Sequence, residues 1–324
     1  MFFAKIKERR SGILLYGITP PKANAEADKV AEAAVKTLNR LRLQDIDALV
    51  VYDVQDESAR TSEERPFPFS NALDPFDYAC DYLKALSVPK IIYRPAGKFS
   101  KDELATWLQG VHANGFCPVF VGLPSPDFVP KTTLKEAYAL WRKYETTSVI
   151  GAVTIPERHA ILKDEDLRII DKVDSGVSFF ISQCIFNVEY TKQVLDDLLT
   201  ACGKQSKKIP TIIFTLTICG SAKTLEFMEW LGIHLPGDIK AELMAIPNPV
   251  ARSVEIAVNI AKGLIDYCKQ RDIPFGFNIE SVAVRKEEID ASIGLLNTVR
   301  HLLQSQGLRA DLQKTLLATS QPVD

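Results

Sequence analysis

Short apolar runs alternate with longer amphipathic segments along the chain. The runs contain few polar residues, which is typical of parallel strands that are buried on both faces. They predict eight strands, at residues 12–18, 47–54, 90–96, 118–124, 148–155, 178–183, 211–217 and 274–280.

The segments between the runs carry apolar residues at helical spacing. Ser100 followed by Glu103 has the form of a capping box, which predicts the start of one of these helices. The predicted helices cover residues 25–41, 74–86, 101–114, 133–144, 164–175, 188–202, 222–231, 249–271 and 287–306.

Eight strand–helix units in one chain predict a fold of the α/β class, a (β/α)8 TIM barrel that forms a single domain. We assign residues 1–306 to the barrel and residues 307–324 to a C-terminal tail. A doubly wound open sheet is the alternative. It usually has fewer strands, and no G-x-G-x-x-G follows the first run.

The composition is that of an ordinary globular protein: 46% of the 324 residues are hydrophobic, 25% are charged, and the net charge is −2. This balance predicts neither nucleic-acid binding nor attachment to a membrane surface. The N-terminus has no signal-peptide pattern, and no apolar run is long enough to span a membrane. The six cysteines form no C-x-x-C pair, and three of them lie in or beside apolar runs, which predicts free thiols in the cytoplasm.

Two connections are long. Residues 54–73 follow the second strand and are acidic, rich in Ser and Thr, and punctuated by Pro, which predicts a mobile loop over the mouth of the barrel. Residues 234–249 separate the seventh helix from the long helix before strand eight.

Polar residues at the ends of the strands are the candidates for chemistry, because barrels carry their sites at the C-terminal ends of the strands. Gln183 ends the sixth strand within an apolar run, where an amide costs free energy unless it is hydrogen-bonded. Its acceptor and two donors suit a heterocycle with adjacent ring N–H and C=O groups. The alternative is a glutamine that satisfies backbone groups at the strand end.

Glu280 follows the last strand and is the strongest carboxylate candidate. A partly dry barrel mouth raises the pKa of a carboxyl group and makes it a usable general acid. The alternative is an ion pair with Arg285 or another base at a strand end.

Four further residues have ambiguous roles. Glu157 and His159 follow strand five, and without a second histidine at ligand spacing they predict no metal site, so that a structural role is favoured for His159. Arg94 suits a bound carboxylate or phosphate, or an ion pair with Asp53.

One stretch, KVDSGVSFFISQCIFNVE at residues 172–189, resembles a block of the methylenetetrahydrofolate reductase family, whose members are (β/α)8 barrels. Its lysine, glycine, glutamine and phenylalanine are spaced as in that block. TPPK at residues 19–22 and IPERH at residues 155–159 are similar to shorter motifs of the family, in the same order.

The resemblance implies that the chain reduces 5,10-methylenetetrahydrofolate to 5-methyltetrahydrofolate with NADH or NADPH. It also implies that Gln183 contacts the pterin of the folate, that Lys172 contacts the cofactor FAD, and that Arg285 lies near the folate. Two regions depart from the family. Gly17 stands where the family has a presumed proton-donating glutamate, and VFVGLPSP at residues 119–126 lacks an Arg and an Asp that face the flavin.

Three functions are therefore weighed. The first is direct hydride transfer from a nicotinamide to the folate without flavin, with Glu280 as the catalytic acid, because strand eight pairs with strand one in a closed barrel. The second is a flavin-dependent reductase that keeps Lys172. The third has no reductase activity: a folate-binding protein, or a member of a one-carbon demethylation pathway that works with a separate folate-dependent methyltransferase. A homo-oligomer is left open.

Overall fold

Eight parallel strands close into one barrel in chain order, which confirms the predicted (β/α)8 fold. The computed structural model describes residues 2–58, 61–123, 129–143 and 149–310. Pro124 and Tyr144, the predicted ends of strand four and of one helix, lie outside these residues. The strands are β1 (Ile13–Ile18), β2 (Ala48–Val51), β3 (Lys90–Pro95), β4 (Cys117–Val121), β5 (Gly151–Thr154), β6 (Phe179–Cys184), β7 (Thr211–Leu216) and β8 (Phe275–Ile279).

Helices cover the outside of the barrel, and the capping box predicted at Ser100 and Glu103 is confirmed. Three helices have no counterpart in the sequence prediction: the N-terminal helix, a short one after β5, and one within residues 234–249. Within the described residues the helices are α1 (Phe2–Lys7), α2 (Ala27–Leu41), α3 (Pro75–Tyr82), α4 (Lys101–Ala113), α5 (Leu134–Arg142), α6 (Pro156–Leu162), α7 (Glu165–Asp174), α8 (Val188–Lys204), α9 (Ala222–Trp230), α10 (Gly237–Ala245), α11 (Val250–Gln270) and α12 (Lys286–Ser305).

Helix α1 closes the N-terminal end of the barrel. Phe2 and Ile6 are buried in the barrel interior, and the Phe2 ring packs edge-on against Phe179 at the start of β6, with the ring centroids 5.4 Å apart. Burying two large apolar side chains there stabilises the fold by a few kcal/mol. The opposite end, where the strands terminate, is left as the mouth.

The segment after α12 packs on the same closed end of the barrel. Arg309, assigned from the sequence to a terminal tail, is almost fully buried and binds both oxygens of Asp45, at 2.8 and 2.9 Å, together with the backbone carbonyl of Gly12. It also contacts Asp47, which Lys5 of α1 contacts at 2.8 Å. Residues 307–310 are thus part of the barrel, while residues 311–324 lie outside the described residues.

Alternate residues of each strand point into the barrel, and their character changes along its axis. The interior is apolar near α1 and in the middle, as at Ala48 and Val50 of β2. The same alternation brings Tyr52 inward at the mouth, where it meets Asn278 of β8. The barrel core therefore ends in a polar layer at the C-terminal ends of the strands.

Candidate functional site

Glu280 lies in this polar layer and is held by side chains from three strands. Tyr52 donates a short hydrogen bond to its carboxyl group. Cys184 Sγ lies 3.1 Å from the other carboxyl oxygen, Oε1. Asn278 Nδ2 lies 3.4 Å from Oε2, the oxygen that Tyr52 contacts. The ring of Tyr93 packs edge-on against Tyr52, with the centroids 4.8 Å apart. The predicted position of Glu280 at the mouth is thus observed, and Tyr52 and Cys184 are partners that the sequence did not reveal.

Burial raises the pKa of Glu280, and the hydrogen bonds from Tyr52, Cys184 and Asn278 only partly oppose this rise. Burial, with the nearby Glu280 carboxyl, also raises the pKa of Tyr52 and that of Cys184. No lysine or arginine forms an ion pair with Glu280 among the described contacts. The group therefore holds a proton to higher pH than an exposed glutamate, which is what a proton donor at a barrel mouth requires. Its catalytic role stays a prediction.

Gly17 of β1 has no side chain, and the Tyr52 ring and the Glu280 carboxyl group lie in the space beside it. A Cβ atom placed on Gly17 lies 2.8 Å from Tyr52 Cε2 and 3.2 Å from Glu280 Oε2. The first distance is shorter than a van der Waals contact, so that a side chain at position 17 and the Tyr52–Glu280 pair exclude each other.

We expect Gly17→Ala to destabilise the fold by about 1–3 kcal/mol, because the methyl group overpacks a buried site. Urea denaturation measures the change. Gly122→Ala is the matched control at the same end of the barrel, since no atom of the described residues lies within 4 Å of the added Cβ. Equal stability of the two variants would show that the mouth tolerates a β1 side chain.

Gln183 lies at an irregularity in β6, which explains the polar pair in an apolar run. The pairing of β6 with β7 shifts register between Ile181 and Cys184. The Ser182 hydroxyl fills the gap, accepting from the Thr215 backbone N–H at 2.9 Å and donating to the Gln183 carbonyl at 2.7 Å. Ser182 is thus structural, and the bulge re-aims the residues that follow it.

The Gln183 side chain is half satisfied. Its Nε2 donates to the Leu231 carbonyl at 2.9 Å, and its Oε1 is buried with no hydrogen-bond partner in the part of the chain that the structure describes. The amino group thus satisfies a backbone carbonyl, as in the structural alternative, while binding of a heterocycle by the oxygen stays a prediction. An unpaired buried acceptor costs about 1–3 kcal/mol.

Glu157, in α6 just after β5, offers a second unpaired acceptor. Its Oε2 is buried and has no hydrogen-bond partner among the described residues. Burial raises the pKa of Glu157 from 4.5 to about 7, with backbone hydrogen bonds from Glu157 and His234 opposing the rise. Its charge also reaches Cys184, whose pKa it raises further. We call the group formed by Tyr52, Glu157, Gln183, Cys184 and Glu280 the mouth recess.

One segment after α9 supports both unpaired acceptors. Helix α9 ends in a Schellman motif: Gly232 has φ +78°, its N–H donates to the Glu229 carbonyl, and the next N–H donates to the Met228 carbonyl. This turn presents the Leu231 carbonyl to Gln183 and the His234 N–H to Glu157. The positions of the two side chains are therefore coupled.

Arg94 and Asp53 lie outside the mouth recess, between β2, β3 and α3. Arg94 forms a two-pronged ion pair with Asp74, at 2.6 and 3.2 Å, and reaches Asp53 at only 3.7 Å. Its guanidinium also packs on the rings of Phe99 and Trp107. Asp74 in turn caps the N-terminus of α3, so that Arg94 fixes this helix. Burial raises the pKa of Asp53 to about 6, with Arg94 opposing.

Lys172 and His159 lie in the helical layer. Lys172 of α7 donates to the Val153 carbonyl of β5 at 2.8 Å, and burial lowers its pKa to about 8. His159 is fully buried, with Nε2 2.8 Å from Asp197 of α8. This arrangement fits the structural role favoured for His159. The contact of Lys172 with FAD stays a prediction, as do the nicotinamide cofactors.

Arg285 lies just before α12 and is half exposed. It contacts the Gly220 carbonyl at 3.3 Å and Glu288 at 3.5 Å. The ion pair between Arg285 and Glu280 that was weighed from the sequence is not among its contacts. Its contact with a folate stays a prediction.

The β2–α3 connection reaches from the end of β2 to α9, which follows β7, and so crosses the mouth end of the barrel. The Glu63 carbonyl accepts a hydrogen bond from the Trp230 indole at 3.1 Å. Arg65 packs on the rings of Phe227 and Trp230, at 5.0 and 5.2 Å from their centroids. This position agrees with the predicted loop over the mouth.

Two features are absent from the part of the chain that the structure describes, a metal site and a membrane-spanning helix. No group of three or more His, Cys, Asp or Glu side chains is arranged to hold a metal ion. No helix combines the length and the apolar character needed to cross a bilayer.

The fold and the site define the class of protein: a single-domain (β/α)8 barrel with a group of polar side chains where its strands end, the place at which barrels carry their sites. The solved structure of an uncharacterized protein from Clostridium thermocellum, which binds two copies of 5-methyl-5,6,7,8-tetrahydrofolic acid, is 41% identical to this chain. The match covers 93% of this chain and 100% of that chain, with a TM-score of 0.83. The chain belongs to the family of that protein.

Other solved structures match at low identity. A 2,3-dimethylmalate lyase of the PEP mutase/isocitrate lyase superfamily is 14% identical over 95% of this chain and 96% of that chain, with a TM-score of 0.42. An oxaloacetate acetylhydrolase is 10% identical over 96% of this chain and 97% of that chain, with a TM-score of 0.39. Similarity at this level says nothing about function. Neither a protein-family model nor a curated protein sequence matches the chain.

The expected membership of the methylenetetrahydrofolate reductase family is wrong. The match at 41% identity is a protein that binds 5-methyl-5,6,7,8-tetrahydrofolic acid, and no protein-family model matches the chain. The block around Gln183 misled because local folding accounts for much of it. Gly176 has φ +99° in the turn between α7 and β6, and Lys172 bonds the backbone of β5. The NADH- or NADPH-dependent reduction that the resemblance implied has no support in these matches.

Proposed function

We propose that the chain binds a reduced folate, 5-methyltetrahydrofolate or a close relative, with the pterin in the mouth recess. The relative at 41% identity binds 5-methyltetrahydrofolic acid. This function corresponds to the third alternative weighed from the sequence, a folate-binding protein without reductase activity.

The observation that carries the proposal is the pair of buried, unpaired acceptors, Gln183 Oε1 and Glu157 Oε2. The amino-pyrimidinone edge of a pterin presents a ring N–H beside an exocyclic amino group, which is a matched pair of donors. Pairing these donors with the two acceptors relieves the cost of leaving them unsatisfied. Because one acceptor is a carboxylate above its pKa of about 7, the hydrogen bond is charge-assisted.

Glu280 lies deeper in the same recess and presents its carboxyl group with Tyr52 and Cys184. We place it against the reduced ring of the bound pterin, whose nitrogens are the basic atoms opposite a carboxyl whose pKa burial raises. In this position it stabilises the ligand by a hydrogen bond and is the group available for proton transfer.

Isothermal titration calorimetry with 5-methyltetrahydrofolate tests the proposal. We expect saturable binding by the native chain and about tenfold or greater weakening in Gln183→Ala, because that variant loses the acceptor and the hydrogen bond to the Leu231 carbonyl. Gln193→Ala is the matched control, since Gln193 is an exposed glutamine of α8 that contacts Lys163. The absence of saturable binding by the native chain would overturn the proposed function.

A further inference from the structure

A cation and several aromatic rings form a second cluster beside the mouth recess. The β2–α3 connection contributes Arg65, Phe67 and Phe69, and α9 contributes Phe227 and Trp230. We call these five residues the Arg65 cluster. The Arg65 guanidinium lies 5.0, 5.2 and 5.4 Å from the ring centroids of Phe227, Trp230 and Phe69. Phe67 packs edge-on against Phe227, with the centroids 5.3 Å apart.

Arg65 carries a positive charge that no carboxylate of the described residues pairs with directly. Only its Nη1 makes a hydrogen bond among the described contacts, to the Phe67 carbonyl at 2.9 Å, and its Nε is buried without a partner. Burial lowers the pKa of Arg65, while Asp56 and Glu57 of the same connection act on it only through their charge and raise it. The ring contacts cover the faces of the guanidinium, and its N–H edge is left to bind an acceptor.

Lys223, at the start of α9, adds a second cation. Its Nζ lies 4.8 Å from the centroid of the Phe67 ring, and its side chain is exposed without an ion pair among the described residues. Phe67 and Phe69 are themselves partly exposed. The cluster therefore offers an aromatic surface flanked by two cations from different elements.

The Arg65 cluster is continuous with the mouth recess. Trp230, which packs on Arg65, is followed in sequence by Leu231, whose carbonyl accepts the hydrogen bond from Gln183. A ligand held by Gln183 therefore has the Arg65 cluster next to it. A folate consists of a pterin joined to a p-aminobenzoyl ring, which carries a glutamate with two carboxylates. The heterocycle would then lie in the mouth recess, and the aromatic ring and the carboxylates would lie at the Arg65 cluster.

We propose that the Arg65 cluster and Lys223 form the subsite for the p-aminobenzoyl-glutamate half of the folate. The aromatic ring packs on the exposed rings of the β2–α3 connection, and the carboxylates bind the N–H edge of Arg65 and the Lys223 ammonium group. This inference rests on the proposed function and extends it from the pterin to the tail of the ligand.

The test compares a ligand that has the tail with one that lacks it. The native chain, Arg65→Gln and Lys223→Gln are each titrated with 5-methyltetrahydrofolate and with 6-methyltetrahydropterin. We expect Arg65→Gln to weaken 5-methyltetrahydrofolate binding about tenfold or more, since it removes a charged hydrogen-bond donor. Lys223→Gln should weaken 5-methyltetrahydrofolate binding less, because the Lys223 side chain is exposed. Binding of 6-methyltetrahydropterin should change less than twofold in both variants.

A matched lysine and a salt series complete the design. Lys208→Gln changes an exposed lysine just before β7, at the opposite end of the barrel, and should leave both ligands unaffected. Added salt should weaken 5-methyltetrahydrofolate binding more in the native chain than in Arg65→Gln. If Arg65→Gln fails to fold, Lys223→Gln decides the question. Native-like binding of the folate by both variants, or equal losses for both ligands, would overturn the subsite and leave the proposed function intact, whereas failure of the native chain to bind the folate would remove the proposed function.

Discussion

Replacing Glu157 with glutamine is expected to make the ligand-free protein more stable at pH 8 while weakening its binding of 5-methyltetrahydrofolate. Burial raises the pKa of Glu157 from 4.5 to about 7 in the folded chain. Because the folded state then holds the proton more tightly than the unfolded state, stability falls as the pH rises from 4.5 through 7. A rise of this size corresponds to up to about 3 kcal/mol. Glutamine has no charge to bury, so it escapes this loss.

The sign of the effect depends on pH, which separates it from ordinary repacking. At pH 8 we expect Glu157→Gln to exceed the native chain in the free energy of unfolding by up to about 3 kcal/mol, and at pH 4 we expect the two to be equal. Urea denaturation over this range measures both. Glu189→Gln is the control, since Glu189 forms an exposed ion pair with Lys192 and should change stability little at either pH.

For the same variant, Glu157→Gln, we expect calorimetry to show weaker binding of 5-methyltetrahydrofolate, in contrast to its gain in stability. The pterin donors pair best with an ionised carboxylate, so that native binding should weaken as the pH falls below about 7, whereas binding by Glu157→Gln should be weaker and nearly independent of pH. A stability gain without loss of binding would mean that Glu157 is merely a strained structural residue. Loss of both would mean that its carboxylate has a partner in the folded chain.

Arg309→Ala is expected to destabilise the protein by about 3–5 kcal/mol, the cost of removing one partner from a buried ion-pair network. Arg309 binds Asp45 and Asp47, and its side chain is only 5% exposed. Lys5 alone would then face both carboxylates. The change should be visible as a shift of the urea midpoint at pH 7.

The matched control for this variant is Arg10→Ala. Arg10 pairs with Glu8 at 2.7 Å, but both side chains are more than half exposed, so that its loss should cost less than about 1 kcal/mol. Despite its burial, Asp47 has a lowered pKa, because Arg309 and Lys5 favour its charged form. Its stabilising contribution is present above pH 3.8 and is lost as the pH falls through the lowered pKa, and Arg309→Ala should reduce this loss. Similar costs for the two arginine variants would place Arg309 outside the stable core.

The barrel could be predicted from the sequence because its strands are buried on both faces and stand out as uninterrupted apolar runs. Helix α1 could not, since it is only six residues long and three of its residues are Lys or Ala, so that its role depends on Phe2 and Ile6 entering the barrel. The anchoring of Arg309 was missed for a similar reason. Its partners Asp45 and Asp47 are more than 260 positions away in sequence, and no local pattern signals such a contact.

The mouth recess was only partly accessible to sequence reasoning. Strand counting placed Gln183 and Glu280 at the mouth correctly, because both follow apolar runs. Their partners come from other strands: Tyr52 from the end of β2 and Cys184 from the β6 bulge. The inward alternation of β2 was the available signal for Tyr52. Arg94 pairs with Asp53, as weighed from the sequence, but more closely with Asp74, and the closer pair depends on the N-terminus of α3, which no strand-end rule includes.

The close packing at Gly17 has an evolutionary consequence. Because its missing Cβ is the space in which Tyr52 and Glu280 meet, the carboxyl of the mouth can be supplied from β8 or from β1, but not from both. A lineage that moves this carboxyl between strands must pass through a double change, since adding a side chain at position 17 first meets a clash, and removing Glu280 first leaves Tyr52 and Cys184 without the acceptor they share. Position 17 should therefore show strong epistasis with Tyr52 and Glu280, with Gly17→Glu tolerated only together with changes that clear both of these side chains.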